Sequence, residues 1–333
     1  MKNLLREVAI ALKPKGRGVW GHLQGLKAFE AGDYASALNE WHPLAQQGSA
    51  RAQVNVGKMY ATGAGVPKNE AEAERWYRLA AEQGNAAAQY ELGQMYEQSN
   101  ALGFDEPRDN LVAERWYRLA AEQGNAAAQY ELGQMYYFGC DNGGEQVVYR
   151  DVAEAERWFR LAAKQGNAAA QYELGKMYAD GLYNGRETVL EPNPSEAMRW
   201  YRLSAKQGNA DAQKSIGIMY LKGTHIRGAI DRGVDEAEAS RWLHLAAEQG
   251  HGTAQFFLGA MYSAVDHGDL FFKHDGFLVK DNITAHMWYS LSCDNAGGQY
   301  YPESRIKKLE ETMTQDQITE AKRRAKAHIA SNE

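Results

Sequence analysis

The side chains best suited to chemistry are concentrated in one long loop, from residue 265 to residue 280. Carboxylates and histidines of this kind are common ligands of zinc and other metals. They are Asp266, Asp269, Asp275, His267 and His274. Their spacing follows no regular ligand pattern such as a helical His-x-x-x-His, so we expect no metal site. The adjacent Phe271 and Phe272 favour a folded hydrophobic plug or, alternatively, an exposed anchor for a protein partner.

A second group of oxygen ligands, Asp141, Asn142 and Glu145, lies near the middle of the chain. These residues lack the alternating oxygen pattern of a calcium-binding loop, so we expect a solvated turn. The sequence also contains no Ser/His/Asp set in a recognisable context, no phosphate-binding glycine loop and no zinc signature. It therefore predicts no catalytic residues, no cofactor and no metal, and a protein that is not an enzyme. The alternative is an enzyme or metal protein that uses the inserted loops.

Charge argues against nucleic acid as a partner. The formal net charge is −6, and no region has the sustained basic excess that binding to a phosphate backbone requires. Lys322, Arg323, Arg324 and Lys326 form a basic cluster near the end of the sequence. We interpret this cluster as favourable charge on the last turns of a terminal helix.

The N-terminal sequence, the lengths of the apolar stretches and the two cysteines together predict a cytoplasmic protein. The run 4–12 carries two charges where a signal peptide has an apolar core, so we expect no signal peptide. No stretch approaches the roughly 18 apolar residues of a membrane span. Cys140 and Cys293 lie far apart in sequence, and we expect both thiols to be reduced. The alternative is a secreted host-interaction factor of the same fold, which a signal sequence encoded upstream would favour.

The elements that hold these residues follow an internal repeat. Residues 73–96 recur without a single change at 113–136, an offset of 40 residues. Tryptophan marks the same phase along the chain at Trp41, Trp76, Trp116, Trp158, Trp200, Trp242 and Trp288. Glycine gives an independent count at Gly57, Gly93, Gly133, Gly175, Gly217 and Gly259. Self-similarity at this period predicts stacked helical hairpins.

Each unit contains two amphipathic patterns, which we name helix A and helix B. In helix A, for example 86–96, apolar residues recur three or four apart, and Gly93 leaves space for a neighbouring helix. In helix B, for example 73–83, the stripe includes Trp76 and Tyr77. Neither helix can bury its stripe alone, so the units must stack. The sequence predicts about sixteen helices in eight hairpin-like units.

The ends of helix B are marked as clearly as its buried face. Asn69 followed by Glu72 is a capping box that predicts its first residue, and Gly84 suits the left-handed position that ends it. Equivalent pairs, at Asp151 and Glu154, Asn193 and Glu196, and Asp235 and Glu238, open later copies of helix B.

The pattern A-x-x-L-G-x-M-Y, followed after a loop by A-E-x-W-Y-x-x-A-A-x-Q-G-N-A, resembles the Sel-1-like repeat family, relatives of the tetratricopeptide repeats. In one repeat the matching residues are Leu92, Gly93, Tyr96, Ala113, Trp116, Tyr117, Ala120, Ala121 and Gly124. The resemblance implies an all-α, right-handed superhelical solenoid of stacked helix–turn–helix repeats. Family members are adaptors and scaffolds in bacterial and eukaryotic protein–protein contact. The implied function is binding of a protein or peptide in a concave groove, including as an inhibitor or immunity-type partner.

The resemblance also predicts how the chain is divided. Residues 1–18 form an N-terminal segment, and 19–48 a tetratricopeptide-like first hairpin. Six Sel-1-like repeats with expanded loops between helices A and B cover 49–296, and capping helices cover 297–333. The expanded loops depart from the usual short connection of the family.

Candidate binding residues come from aligning the repeats on the glycine of helix A. The positions three residues before and one residue after this glycine form a ladder of aromatic and amphipathic groups. They are Tyr90, Gln94, Tyr130, Gln134, Tyr172 and Lys176. By tetratricopeptide geometry these residues face the concave groove, where rigid aromatic side chains would anchor a partner. The alternative is that the tyrosines pack against the next repeat as part of the core.

Overall fold

The computed structural model describes residues 13–98, 110–142, 145–184, 187–223, 235–265, 280–295 and 302–332. Within these ranges the chain is almost entirely helical, and the predicted number of about sixteen helices is confirmed. The helices are α1 (Lys13–Glu30), α2 (Tyr34–Gln46), α3 (Ala50–Thr62), α4 (Glu70–Glu82), α5 (Ala86–Gln98), α6 (Asn110–Glu122), α7 (Ala126–Phe138), α8 (Val152–Lys164), α9 (Ala168–Asp180), α10 (Pro194–Ala205), α11 (Ala210–Leu221), α12 (Glu236–Glu248), α13 (Gly252–Tyr262), α14 (Asn282–Asn295), α15 (Pro302–Glu310) and α16 (Gln315–Asn332).

The helices form two compact units, Met1–Ala162 and Ala163–Glu333. In the first unit, helices that follow one another in sequence pack together from α1 to α7. In the second unit the same order holds from α9 to α14, and α14 also packs against α15 and α16. Each unit is therefore a stack of helical hairpins, the all-α solenoid arrangement that the repeats predict.

Capping interactions fix the ends of the helices where the sequence predicts them. The side chain of Asn69 accepts a hydrogen bond from the backbone N–H of Glu72 at 3.1 Å, which satisfies a donor at the start of α4. The later capping boxes form the same bond, at 3.0 to 3.2 Å. At the other end of helix B, left-handed φ angles of 81° to 93° occur at Gly84, Gly124, Gly166, Gly208 and Gly250.

Two of the expanded A–B loops contain short antiparallel hairpins, which the sequence analysis did not predict. Strand β1 (Cys140–Asn142) pairs with β2 (Glu145–Val148), and β3 (Leu182–Asn184) pairs with β4 (Glu187–Leu190). The solvated turn expected around Asp141 is thus a β-hairpin, in which Asn142 and Glu145 are paired residues. An Asn-Gly sequence begins at the last residue of the first strand in both loops, a known hairpin signal that could have identified them.

Helices A and B approach each other closely at the glycine of helix A. A Cβ atom placed on Gly93 would lie 2.5 Å from the ring of Tyr117 in the following helix B, and one on Gly133 would lie 2.6 Å from the ring of Phe159. Equivalent contacts pair Gly57 with Tyr77, Gly175 with Tyr201, Gly217 with Leu243 and Gly259 with Tyr289. Because atoms cannot approach this closely, each helix pair can reach its observed spacing only with glycine at that position.

Buried glutamines join each repeat to its neighbours. Gln53 of α3 donates from Nε2 to the carbonyl of Ala45 at 3.1 Å, near the end of the preceding helix B. Its Oε1 accepts a hydrogen bond of 2.7 Å from Nε2 of Gln83 in the next helix B. The same glutamine pair recurs at Gln89 and Gln123, Gln171 and Gln207, and Gln213 and Gln249. These bonds give the glutamine amides hydrogen-bond partners, so the amide groups can be buried.

The tryptophans differ in burial, and one sequence interpretation needs correction. Trp158 is 3% exposed and packs in one core with Tyr117 and Leu132. Trp116, expected to be buried between helices A and B, is only partly buried, against the core that contains Leu92. The residue beside it, Tyr117, is fully buried instead. The repeated Trp-Tyr pair therefore places its second ring deeper than its first in this repeat.

We predict that Gly133→Ala lowers the free energy of unfolding by about 1–3 kcal/mol, because the new methyl group overlaps the buried ring of Phe159. Helix propensity alone would give the opposite sign, since alanine is favoured over glycine by roughly 1 kcal/mol. Urea denaturation followed by circular dichroism measures the sign. A stabilised variant would show that the ring moves aside and that the close approach is not required.

Burial also predicts that replacing two tryptophans by alanine lowers the free energy of unfolding by different amounts. Trp158→Ala should lower the free energy of unfolding by about 3–5 kcal/mol, because the indole is buried in the core. Trp116→Ala should cause a smaller loss, since that indole is partly exposed. The same denaturation experiment compares them, and equal losses would contradict the assigned burial.

Candidate partner-binding surface

The predicted tyrosines lie on helix A and are half-buried. In the first unit, the ring of Tyr90 lies 5.9 Å from that of Tyr117, and the ring of Tyr130 lies 5.9 Å from that of Phe159. In the second unit, Tyr172 lies 5.8 Å from Tyr201 between ring centroids. Each tyrosine thus packs against the aromatic ring that meets the helix A glycine, while part of its surface stays accessible. Both sequence interpretations, a surface position and contact with the core, describe part of this arrangement.

The residue after each glycine contacts the tyrosine, as the helical spacing implies. Nε2 of Gln94 donates to the hydroxyl of Tyr90 at 2.8 Å, and Gln134 forms the same 2.8 Å bond to Tyr130. In the second unit the ammonium of Lys176 lies 5.4 Å from the ring centroid of Tyr172, within the range of a cation–π interaction. We name Tyr90, Gln94, Tyr130 and Gln134 the first-unit tyrosine surface.

In the repeats at either end of the series, other residues replace the tyrosine. Val54 stands at the tyrosine position in the first repeat, and Lys214 and Phe256 stand there in the last two. Phe256 is 5% exposed and belongs to a core that includes Tyr289. The aromatic surface is therefore confined to the repeats that carry the Tyr-Glu-Leu-Gly sequence.

Sequence reasoning missed the carboxylates beside the tyrosines. Glu91 and Glu131 directly follow Tyr90 and Tyr130, and Glu97 lies one helical turn beyond Gln94. The hydroxyl of Tyr117 donates to Oε2 of Glu97 at 2.7 Å. The repeated Tyr-Glu pair was a visible signal, but acidic residues on helices usually belong to solvated faces.

Burial and like charge perturb these carboxyl groups. Burial, together with the neighbouring carboxylate of Glu97, raises the pKa of Glu131 to about 7. Burial also raises the pKa of Glu91, although the charge of Lys58 opposes the shift. The same burial and carboxylates raise the pKa of the Tyr90 phenol to about 12, so this hydroxyl stays neutral at physiological pH. Beside the neutral phenols there is thus a carboxyl group, that of Glu131, on which another carboxylate acts.

A second set of polar contacts ties helix A of one repeat to helix B of the preceding repeat. The hydroxyl of Tyr96 donates to Oε1 of Glu74 at 2.9 Å and accepts from Nη2 of Arg78 at 2.6 Å. In the next repeat the same group is formed by Tyr136, Glu114 and Arg118. Because all three members have partners, we assign these clusters a structural role.

The remaining sequence expectations concern the 265–280 loop, metal binding and membrane spans. Phe271 and Phe272 lie outside the described residues, as does most of the 265–280 loop with its histidines. The described residues contain no group of three or more His, Cys, Asp and Glu side chains able to hold a metal ion. Within the same ranges, no helix is both long and apolar enough to cross a membrane.

The basic cluster near the end of the chain is paired with acidic side chains. Arg323 and Arg324 contact Glu320 at 2.7 and 2.8 Å, and Lys322 contacts Glu310 at 3.3 Å. The cluster was expected on the last turns of a helix, but α16 continues beyond it to Asn332. Ion pairs with Glu320 on the same helix and with Glu310 on α15, and not the helix end, therefore account for Lys322, Arg323 and Arg324.

Comparison with known protein families gives a match over most of the chain. The model of the Sel1 repeat matches residues 50–85, 86–125, 126–167, 168–209, 210–251 and 252–296. Each matched segment contains one helix A and the helix B that follows it.

Two solved structures share the fold. One is a protective antigen present in uropathogenic Escherichia coli strains, displaying an SLR fold, with 28% identity and a TM-score of 0.72. The match covers 88% of this chain and 56% of the antigen, so the chain spans little more than half the length of that protein. The other is a Sel1 repeat protein from Oxalobacter formigenes, with 28% identity, a TM-score of 0.64 and coverage of 82% and 96%. No curated protein matches the chain.

The raised pKa of Glu131 predicts a pH-dependent stability. Between the ordinary value of 4.5 and the folded value of about 7, the folded state binds more protons than the unfolded state. The free energy of unfolding should therefore fall as pH rises through this window. Glu131→Gln removes the dependence and should raise the free energy of unfolding near pH 8 by roughly 1–2 kcal/mol, after allowance for solvent screening. Urea denaturation at several pH values measures both effects.

Glu173→Gln is the matched control, because Glu173 occupies the same repeat position but pairs with Lys176 at 2.9 Å. This variant should not be stabilised near pH 8. If Glu131→Gln is destabilised at every pH, Glu131 is not an uncompensated buried carboxyl group.

Proposed function

The chain belongs to the Sel1 repeat family, and on this basis we propose that it is a protein–protein interaction module. It would act as a scaffold or adaptor that binds a protein or peptide on helix A, around Tyr90 and Tyr130. Sel1 repeats are a protein-interaction fold and typically form non-catalytic scaffolds, which supports binding over catalysis as the role of this chain. The concave groove that the resemblance implies remains a prediction.

The observation that carries the proposal is the fixed position of half-exposed tyrosine rings in successive repeats. Packing against Tyr117 and Phe159 holds the rings, and 2.8 Å hydrogen bonds hold their hydroxyls. Side chains ordered in the free protein lose little further entropy when a partner binds. Tyrosine also offers a large apolar face with a polar tip, which makes it a frequent anchor at interfaces. We propose the same role for Tyr172 and Lys176 in the second unit.

We propose the cytoplasm as the cellular location. Cys140 is a free thiol whose burial raises its pKa to about 11, consistent with a reduced protein of the cytoplasm. A secreted host-interaction factor is the alternative, and a role as an inhibitor or immunity-type partner is a narrower prediction. Nucleic acid is not proposed as a partner, because Arg323 and Arg324 are paired with Glu320.

Affinity capture with tyrosine variants tests the proposal. The wild-type chain and the variants Tyr90→Ala and Tyr130→Ala would serve as baits in a lysate of the native organism, followed by mass spectrometry. For at least one variant we expect the captured partner to bind more weakly by about 2 kcal/mol or more, measured by calorimetry with the purified partner. The matched controls are Leu79→Ala and Leu119→Ala, at exposed positions of helix B.

Circular dichroism and thermal melting of each variant separate binding from stability. The proposal requires that the tyrosine variants stay folded while the partner is lost and that the leucine variants retain it. If the tyrosine variants bind normally and only their melting temperature falls, the rings are core residues. Failure of the wild-type chain to capture any partner across growth conditions would count against a binding module.

A further inference from the structure

Two carboxylates, those of Glu97 and Glu131, lie beside the first-unit tyrosine surface. Among the described residues, Glu97 and Glu131 form no ion pair, and the charge that acts on Glu131 is that of another carboxylate, Glu97. The charge of Lys58 acts on Glu91. Two carboxylates near one another favour a cation between them.

These carboxylates are part of one continuous cluster with the aromatic rings. The hydroxyl of Tyr117 reaches Glu97 at 2.7 Å, and its ring lies 5.9 Å from that of Tyr90. Burial raises the pKa of both phenols, and the negative charge of Glu131 adds to the shift. An incoming group would therefore meet carboxylate oxygens and an aromatic face together.

In the second unit, acidic residues of helix A have basic side chains as partners. There Glu173 pairs with Lys176 at 2.9 Å, and Asp211 contacts both Lys214 at 3.6 Å and His251 at 3.1 Å. At the position of Lys176, the first repeat has Lys58, and the repeats that carry Tyr90 and Tyr130 have Gln94 and Gln134. The lysine that balances the acidic residue of one repeat is thus replaced by neutral glutamine in two others. A positive charge for the first-unit surface must come from outside the described part of the chain.

We propose that the segment bound by the first-unit tyrosine surface carries an arginine whose guanidinium group lies between Glu97 and Glu131 and against the ring of Tyr90. This inference rests on the proposed function and specifies the chemistry of the partner. A guanidinium group suits the site because it is planar, binds carboxylates through two donors at once and stacks on aromatic rings. Lysine offers a compact charge that does neither.

The chain itself uses this combination of contacts on helix B. The guanidinium of Arg75 lies 4.5 Å from the ring centroid of Trp76 while its Nη2 contacts Glu72 at 2.9 Å. The proposed contact would repeat this aromatic and carboxylate pairing between two molecules, with the arginine supplied by the partner.

Because Glu131 titrates near neutral pH, the affinity for an arginine segment should depend on pH. Burial and the charge of Glu97 act on Glu131 in the described structure, and the charge of Glu131 in turn adds to the raised pKa of the phenols of Tyr90 and Tyr117. With a pKa of about 7, Glu131 is mostly protonated near pH 6 and mostly charged near pH 8. Affinity for an arginine segment should therefore rise about tenfold between these pH values. Binding near pH 7 should release a proton.

Selection from a random peptide library displayed on phage tests the inference. The full chain is the target, and only peptides that lose binding to the variant Tyr90→Ala with Tyr130→Ala are kept, which defines ligands of this surface. We expect these peptides to be enriched in arginine. Replacing that arginine by citrulline, which keeps the shape but not the charge, should weaken binding at least tenfold, and replacing it by lysine should weaken binding less.

The variants Glu97→Gln and Glu131→Gln should weaken the arginine peptide about tenfold near pH 8, and Glu131→Gln should abolish the rise in affinity with pH. Glu173→Gln, the control of equal charge, should bind as the wild-type chain does. Tyrosine-dependent peptides without arginine, or peptides indifferent to Glu131→Gln, would overturn this inference and leave the proposed function intact. If no peptide depends on the tyrosines, both are contradicted.

Discussion

The spacing of every repeat depends on one steric contact, in which the glycine of helix A meets a large side chain of the following helix B. At Gly93 and Gly133 a Cβ atom would overlap the ring of Tyr117 or Phe159. Glycine weakens a helix by about 1 kcal/mol relative to alanine, so its presence at six corresponding positions is explained by packing and not by helix propensity. The ring fills the space that the missing side chain leaves, and the two helices are held at one distance.

This contact also positions the candidate binding surface. The ring that covers the glycine is the ring against which Tyr90 or Tyr130 packs, so a core contact and a surface residue share one aromatic pair. Buried glutamines such as Gln53 bond to helix-end carbonyls between repeats, which gives these buried amides their partners. With the helices fixed in this way, the positions beside the glycine are free to vary in charge. Gln134 in one repeat and Lys176 in another show this variation on the same scaffold.

The helices and their ends could be predicted from the sequence because each has a local signal. Tryptophan and glycine gave the period, capping boxes such as Asn69 with Glu72 gave the first residue of helix B, and Gly84 gave its end. The two hairpins were not predicted because the repeat pattern describes only the helices, although the Asn-Gly signal was present in both loops. Acidic residues near the tyrosines were missed for another reason. Whether a glutamate is solvated or buried beside a second carboxylate depends on packing between helices, which sequence spacing does not reveal.

The most direct measurement is a crystal structure of the full chain bound to a tyrosine-dependent peptide. We expect the peptide to lie along helix A, with an arginine between Glu97 and Glu131, and the rings of Tyr90 and Tyr130 to keep the positions they have in the free protein. The spacing between helices A and B should also stay unchanged, because the glycine contact fixes it. A peptide seated on helix B or on the β-hairpins, or tyrosine rings that leave Tyr117 and Phe159 on binding, would contradict a preformed helix A surface.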